Sequence, residues 1–113
     1  MEFVTHDNSI SKVLPNTTDL FGRIKIGNNC FIGARSVIMY GVTLADNTVV
    51  AAGSVVTKSI QQGNLVIGGN PAKEITTWGK FAEKSEPFAW NLDEISREEE
   101  VRLHGEGVKL IER

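Results

Sequence analysis

The chain has one cysteine and two histidines in 113 residues, and these shortages exclude much. Cys30 alone cannot close a disulfide within the chain. His6 and His104 are too few for a metal site that needs three imidazole ligands, and no metal is expected. Positive charge is also scarce. Twelve basic against 14 acidic residues give a net charge of −2, and the charges are scattered, so no basic face for nucleic acid is indicated. No apolar run approaches the ~18 residues of a membrane span, and no cleavable leader is read ahead of the apolar pattern. With so little cysteine, a reducing, cytoplasmic setting is the expectation.

What the chain does have is a period. Aliphatic residues recur every sixth position at Ile26, Ile32, Ile38, Leu44, Val50 and Val56. A second ladder of small or β-branched residues follows four positions later, at Cys30, Ser36, Val42, Thr48, Ser54 and Ile60. Gly27, Gly33, Ala45 and Ala51 fall directly after an aliphatic. Six residues match neither a helical turn nor a hairpin meander, but they match very short strands separated by regular turns. Gly27, Asn28, Asn29, Gly41, Asp46, Asn47 and Gly53 supply the turn chemistry. Strands this short cannot bury enough surface alone, so they must stack on copies of themselves as a solenoid, with Cys30 packed into its core.

The flanks differ. Residues 5–22 are polar, contain Pro15 and show no sustained period, so they read as a long surface loop. Loops of that length are usually functional or disordered. The sequon Asn16-Thr17-Thr18 in it reads as accidental. Beyond residue 76 the composition turns toward Trp, Phe, Glu and Lys. A short helix is read from Thr77 to Lys84, ending before Pro87. The Ser96/Glu99 capping box predicts a second helix reaching about His104, with Gly105 as its stop. Trp78, Phe81, Phe88 and Trp90 read as a cover for an open end of the solenoid or for a neighbour's surface, and an aromatic ligand site is the competing reading.

The run IGNNCFIGARSVIMYGVTLADNTVVAAGSVVTKSI at 26–60, closed by GGNPAKEI at 68–75, resembles the hexapeptide-repeat acyltransferases, in the maltose, galactoside and polysaccharide O-acetyltransferase branch. The resemblance implies an all-β chain folded as a left-handed parallel β-helix of about three coils. The regions would be an acceptor and catalytic loop at 1–23, the β-helix at 24–76 and a partly helical extension at 77–113. Residues 18 apart should stack: Ile26 with Leu44, Ile32 with Val50 and Ile38 with Val56. The implied activity is acetyl transfer from acetyl-coenzyme A to a saccharide hydroxyl, in a homotrimer with sites between subunits.

Such a transfer needs a base for the attacking hydroxyl, and histidine titrates in the right range. Read as a residue alone, His6 in a polar loop is more often surface than site. The resemblance places it where the family carries its catalytic histidine, while His104 reads as a helix-end residue. For the donor, the resemblance assigns Ala34 and Ala52 to the pantetheine arm, Thr57 and Lys58 to the adenine and phosphate end, Lys73 to the phosphates and Phe31 to the thioester and acceptor side. The plain alternatives are turn residues for Ala34 and Ala52 and solvated cations for Lys58 and Lys73. Asp7 or a backbone carbonyl would orient the His6 ring.

Three further readings bear on function. A γ-type carbonic anhydrase shares the fold but needs three histidine ligands. The Asp-Arg-His-Pro signature of serine acetyltransferases is absent, and the tail does not match streptogramin acetyltransferases. A truncated, non-catalytic trimeric scaffold is the alternative to an enzyme. Family members build further coils or a helical segment before the catalytic histidine, whereas only five residues precede His6 here, so either the chain is a fragment or its acceptor pocket is made differently.

Overall fold

The computed structural model describes residues 1–94, 96–104 and 110–113, with the backbone alone for residues 100, 101, 103 and 104. Two units are present, Met1–Gly79 and Lys80–Arg113. In chain order the strands are β1 (Glu2–Val4), β2 (His6–Asp7), β3 (Leu20–Phe21), β4 (Lys25–Ile26), β5 (Phe31–Ile32), β6 (Val37–Met39), β7 (Thr43–Leu44), β8 (Thr48–Val50), β9 (Val55–Val56), β10 (Leu65–Gly69) and β11 (Ala72–Thr77). Helices α1 (Trp78–Ser85) and α2 (Arg97–His104) follow.

The six-residue period becomes parallel pairing at a separation of three repeats. Ile26 pairs with Leu44, Ile32 with Val50 and Ile38 with Val56, so all three expected stacks are present. They build three sheets, ordered β4-β7, β11-β10-β8-β5 and β1-β6-β9. The aliphatic ladder lies inside: Ile38, Leu44, Val50 and Val56 are at most 1% exposed and form one core with Val42, Leu65 and Ile67. Burying each such side chain contributes roughly 1.5–3 kcal/mol.

The second ladder has a separate role. Ser36, Thr48 and Ser54 are buried, and each hydroxyl donates to a turn carbonyl: Ser36 and Ser54 to Ala51, Thr48 to Ala45. A buried hydroxyl is tolerated only when it is satisfied, and here it ties one corner of the coil to the strand that follows. The corners also explain two glycines. A Cβ on Gly33 would lie 2.5 Å from the Ala52 nitrogen, so successive corners approach too closely for any side chain. Gly53 has open space around it but a φ of +73°, which L-residues adopt at a cost.

Three expectations need correction. Cys30 is only half-buried and Ile26 is 37% exposed, because both belong to the first layer and no described residue covers them from below. Ile60 does not continue the small-residue ladder: it bridges to Leu44, 16 residues away, and β10 pairs with β8 at a separation of 17. The strict period therefore lapses after Val56, where β10 turns back antiparallel into β11 through a cis Asn70–Pro71 bond. Residues 5–22 are not merely a loop. Within them β2 pairs antiparallel with β3 around a short 3-10 turn at Ser9–Lys12, and just ahead of them β1 pairs in parallel with β6, Glu2 opposite Val37.

That N-terminal register sets the position of His6. Glu2 and Val37 are 35 residues apart rather than 18, so 17 residues are carried outside the repeat between β1 and β4. The chain rejoins at Gly22, whose N–H donates to Thr5 at 3.2 Å, and at Arg23, whose carbonyl receives the Gly41 N–H at 3.1 Å.

Helix α1 covers nearly the span read as a short helix. Ser96 caps α2 by receiving the Glu99 N–H at 3.1 Å, as the capping box predicts. Gly105 and Ile95 lie outside the described residues, as does the side chain of His104.

Candidate functional site

Strand β2 is two residues long, and successive side chains in a strand leave on opposite faces. His6 is exposed and Asp7 half-buried. Across the strand pair, Phe21 stands directly opposite His6, with ring centroids 5.8 Å apart and planes at 32°. Asp7 does not serve as the ring's acceptor. Its Oδ1 receives the Ser9 N–H at 2.8 Å and its Oδ2 the Tyr40 hydroxyl at 3.4 Å. Its carboxyl is held below the ordinary aspartate value, chiefly by the Ser9 N–H, then by the Ser9 hydroxyl, with Tyr40 and His6 adding less and desolvation opposing.

The remaining candidates divide between corners of the coil. Ala34 and Ala52 are exposed and share one: the Ala34 carbonyl receives the Gly53 N–H at 2.9 Å, and the Ala52 nitrogen lies against Gly33. Thr57 and Lys58, also exposed, lead into Ser59, whose Oγ receives the Thr43 N–H at 2.8 Å and donates to Gly41 at 3.5 Å. They belong to the Tyr40–Gly41 corner, to which the His6 hairpin is also tied. Lys73 lies exposed in β11 opposite Gly68, just beyond the Asn70–Pro71 turn. Phe31 is 63% exposed on β5, opposite Val49. One chain thus gathers His6, Thr57 and Lys58 at one corner and Ala34 and Ala52 at another.

Phe21 and Tyr40 were not singled out by the sequence reading. The signal for Phe21 was present, since VTHD and DLFG are short segments flanking a turn-rich stretch, which is a hairpin pattern. Tyr40 carries no such signal: it sits at the corner before Gly41, and only the fold brings it to Asp7. Beside the hairpin, an open cleft of about 710 Å³ lies at the uncovered end of the ladder, lined by Phe3, Thr5, Arg23, Lys25 and Ile26 among others. Among the described residues no group of three or more His, Cys, Asp or Glu is placed to hold a metal ion, and no helix is long and apolar enough to cross a membrane.

Comparison with known proteins agrees with this architecture. Residues 23–58 match the family model described as the hexapeptide repeat of succinyl-transferase. The chain is 53% identical over 87 residues to protein CapG of Staphylococcus aureus, covering 74% of this chain and 49% of that protein. Among solved structures it is similar to a galactoside acetyltransferase in complex with coenzyme A, with 34% identity and a TM-score of 0.63 over 72% of this chain and 40% of that one. A maltose O-acetyltransferase from Clostridium difficile 630 gives 39% identity and a TM-score of 0.59 over 66% and 40%. The chain spans half or less of the length of each of these relatives. The repeat, its 18-residue pairing and these likenesses together make residues 23–58 a hexapeptide-repeat segment, in a chain similar to acetyltransferases built on that repeat.

Proposed function

We propose that this chain is the catalytic and donor-binding part of an acetyl-coenzyme A-dependent O-acetyltransferase acting on a saccharide hydroxyl. The observation that carries the reading is the exposed His6, held outside the repeat on a hairpin, in a chain similar to a galactoside acetyltransferase bound to coenzyme A. In this reading the strands wind as a left-handed β-helix of about three coils, with 1–23 as the catalytic segment, 24–76 as the helix and 77–113 as an extension. The imidazole of His6 takes the proton of the acceptor hydroxyl as its oxygen attacks the thioester carbonyl. The tetrahedral intermediate then expels the coenzyme A thiolate, which recovers a proton from the imidazolium.

The division of candidates between corners supports a homotrimer. His6 with Thr57 and Lys58 on one subunit would complete a site with Ala34 and Ala52 of the next, the pantetheine arm lying along the second corner. Lys58 and Lys73 neutralise phosphates and Phe31 borders the thioester. Cytoplasmic acetyl-coenzyme A is the donor pool. A non-catalytic scaffold is not favoured, because the relatives are acetyltransferases.

The test is thiol release from acetyl-coenzyme A with maltose and a β-galactoside as acceptors, using this chain and a version lengthened toward the size of its relatives. General-base help is worth ~10² to 10⁴ in rate, so His6→Ala should lower turnover by that factor and leave coenzyme A affinity intact. Full activity in that variant removes His6 from the mechanism.

A further inference from the structure

A base on a 17-residue excursion needs something to hold it, and the hydrogen bonds show what does. The strand pair β2–β3 is only two residues long, too short to fix a side chain alone. Asp7, on the inward side of β2, is engaged at both oxygens, by Ser9 from within the hairpin and by Tyr40 from a corner of the repeat. On the outward side, the freedom of the imidazole is limited by the Phe21 ring across the strand pair. We propose that Tyr40 and Phe21 are positioning residues for His6: Tyr40 anchors β2 to the repeat through the Asp7 carboxylate, and Phe21 sets the face that the imidazole presents.

This rests on His6 being the base, and it assigns Asp7 a different task from orienting the ring. A carboxylate beside a histidine is usually read as the imidazole's own partner, but here its oxygens already have donors. A site displaced by 1 Å can lose about 10² in rate, and the 3.4 Å Tyr40–Asp7 bond is the hairpin's side-chain hydrogen bond to a corner of the repeat. Tyr40 touches neither donor nor acceptor in this scheme. It acts only through Asp7.

The experiment uses the whole chain. In NMR spectra the His6 and Phe21 ring protons should show a cross-peak, which Tyr40→Phe and Asp7→Ala weaken severalfold. Asp7→Asn should keep it, because the amide oxygen still accepts from Ser9 and the amide nitrogen donates to the Tyr40 oxygen. An undiminished cross-peak in Tyr40→Phe overturns the proposal, as does its loss in Asp7→Asn at unchanged melting temperature. In the thiol-release assay with maltose, Tyr40→Phe should lower kcat by up to about 10²-fold, leave KM for acetyl-coenzyme A unchanged, and add no further loss when His6 is already Ala. An equal loss in that background means that Tyr40 acts independently of His6, which also overturns it. If His6→Ala itself keeps full turnover, it is the base assignment that fails, and the ring cross-peak still decides whether Tyr40 positions His6.

Discussion

At Gly33 and Gly53 the fold makes opposite demands. Gly33 has no room, since its Cβ would meet backbone of the next corner that cannot move aside, so both Gly33→Ala and Gly33→Asn should cost about 1–3 kcal/mol in urea denaturation. Gly53 has room but a left-handed backbone. There Ala should cost about 1–2 kcal/mol and Asn less, since Asn tolerates that conformation, as Asn29, Asn47 and Asn64 already do in this chain. Asp7 gives a pH signature. Its folded-state carboxyl is depressed, so its contribution is fully present above the unfolded value of about 3.9 and is lost as pH falls through the lower folded value. Urea stability should therefore decline as pH falls from the unfolded aspartate value toward the lower folded one, and Asp7→Asn should remove that part of the decline. For the donor, Lys58→Ala or Lys73→Ala should each weaken acetyl-coenzyme A binding by ~1–3 kcal/mol in calorimetry, more at low salt than at high.

At the scale of the strand, position in the stack decides what an aliphatic side chain contributes. Leu44, 1% exposed in the middle layer, should cost about 2–5 kcal/mol when cut to Ala. Its partner Ile26, over a third exposed, should cost less, about 1–2 kcal/mol. Equal losses at the two sites would mean that the end is covered in solution. The sequence made the middle of this ladder legible, because a six-residue period at six successive positions has only one packing solution once the strands must stack. It did not reveal that Ile26 and Cys30 lie at an open end, since period carries no information about which layer is outermost. Nor could it find β1, whose Glu-Phe-Val has no repeat signature and whose partner is 35 residues away. His6 stood out only through resemblance, Phe21 opposite it had a hairpin signal in the segments around it, and Tyr40, which meets Asp7 only in three dimensions, had none.

At the scale of the whole molecule, the split between corners makes assembly a requirement of the proposed site. Sedimentation at micromolar concentration should give a particle of three 12.4 kDa chains, and a monomer would leave each donor groove with a single wall. Coenzyme A should raise the melting temperature, because a ligand that bridges subunits stabilises only the assembled form.

The way β1 completes its sheet also has a consequence for synthesis. Its partner strand lies 35 residues downstream, so a ribosome adding roughly 5–20 residues per second leaves β1 without a template for seconds. This strand thus waits for a partner that is made after it. The polar stretch that follows it, with Asn8, Ser9, Ser11, Asn16 and Thr17, keeps the waiting strand hydrated until the second layer exists to receive it.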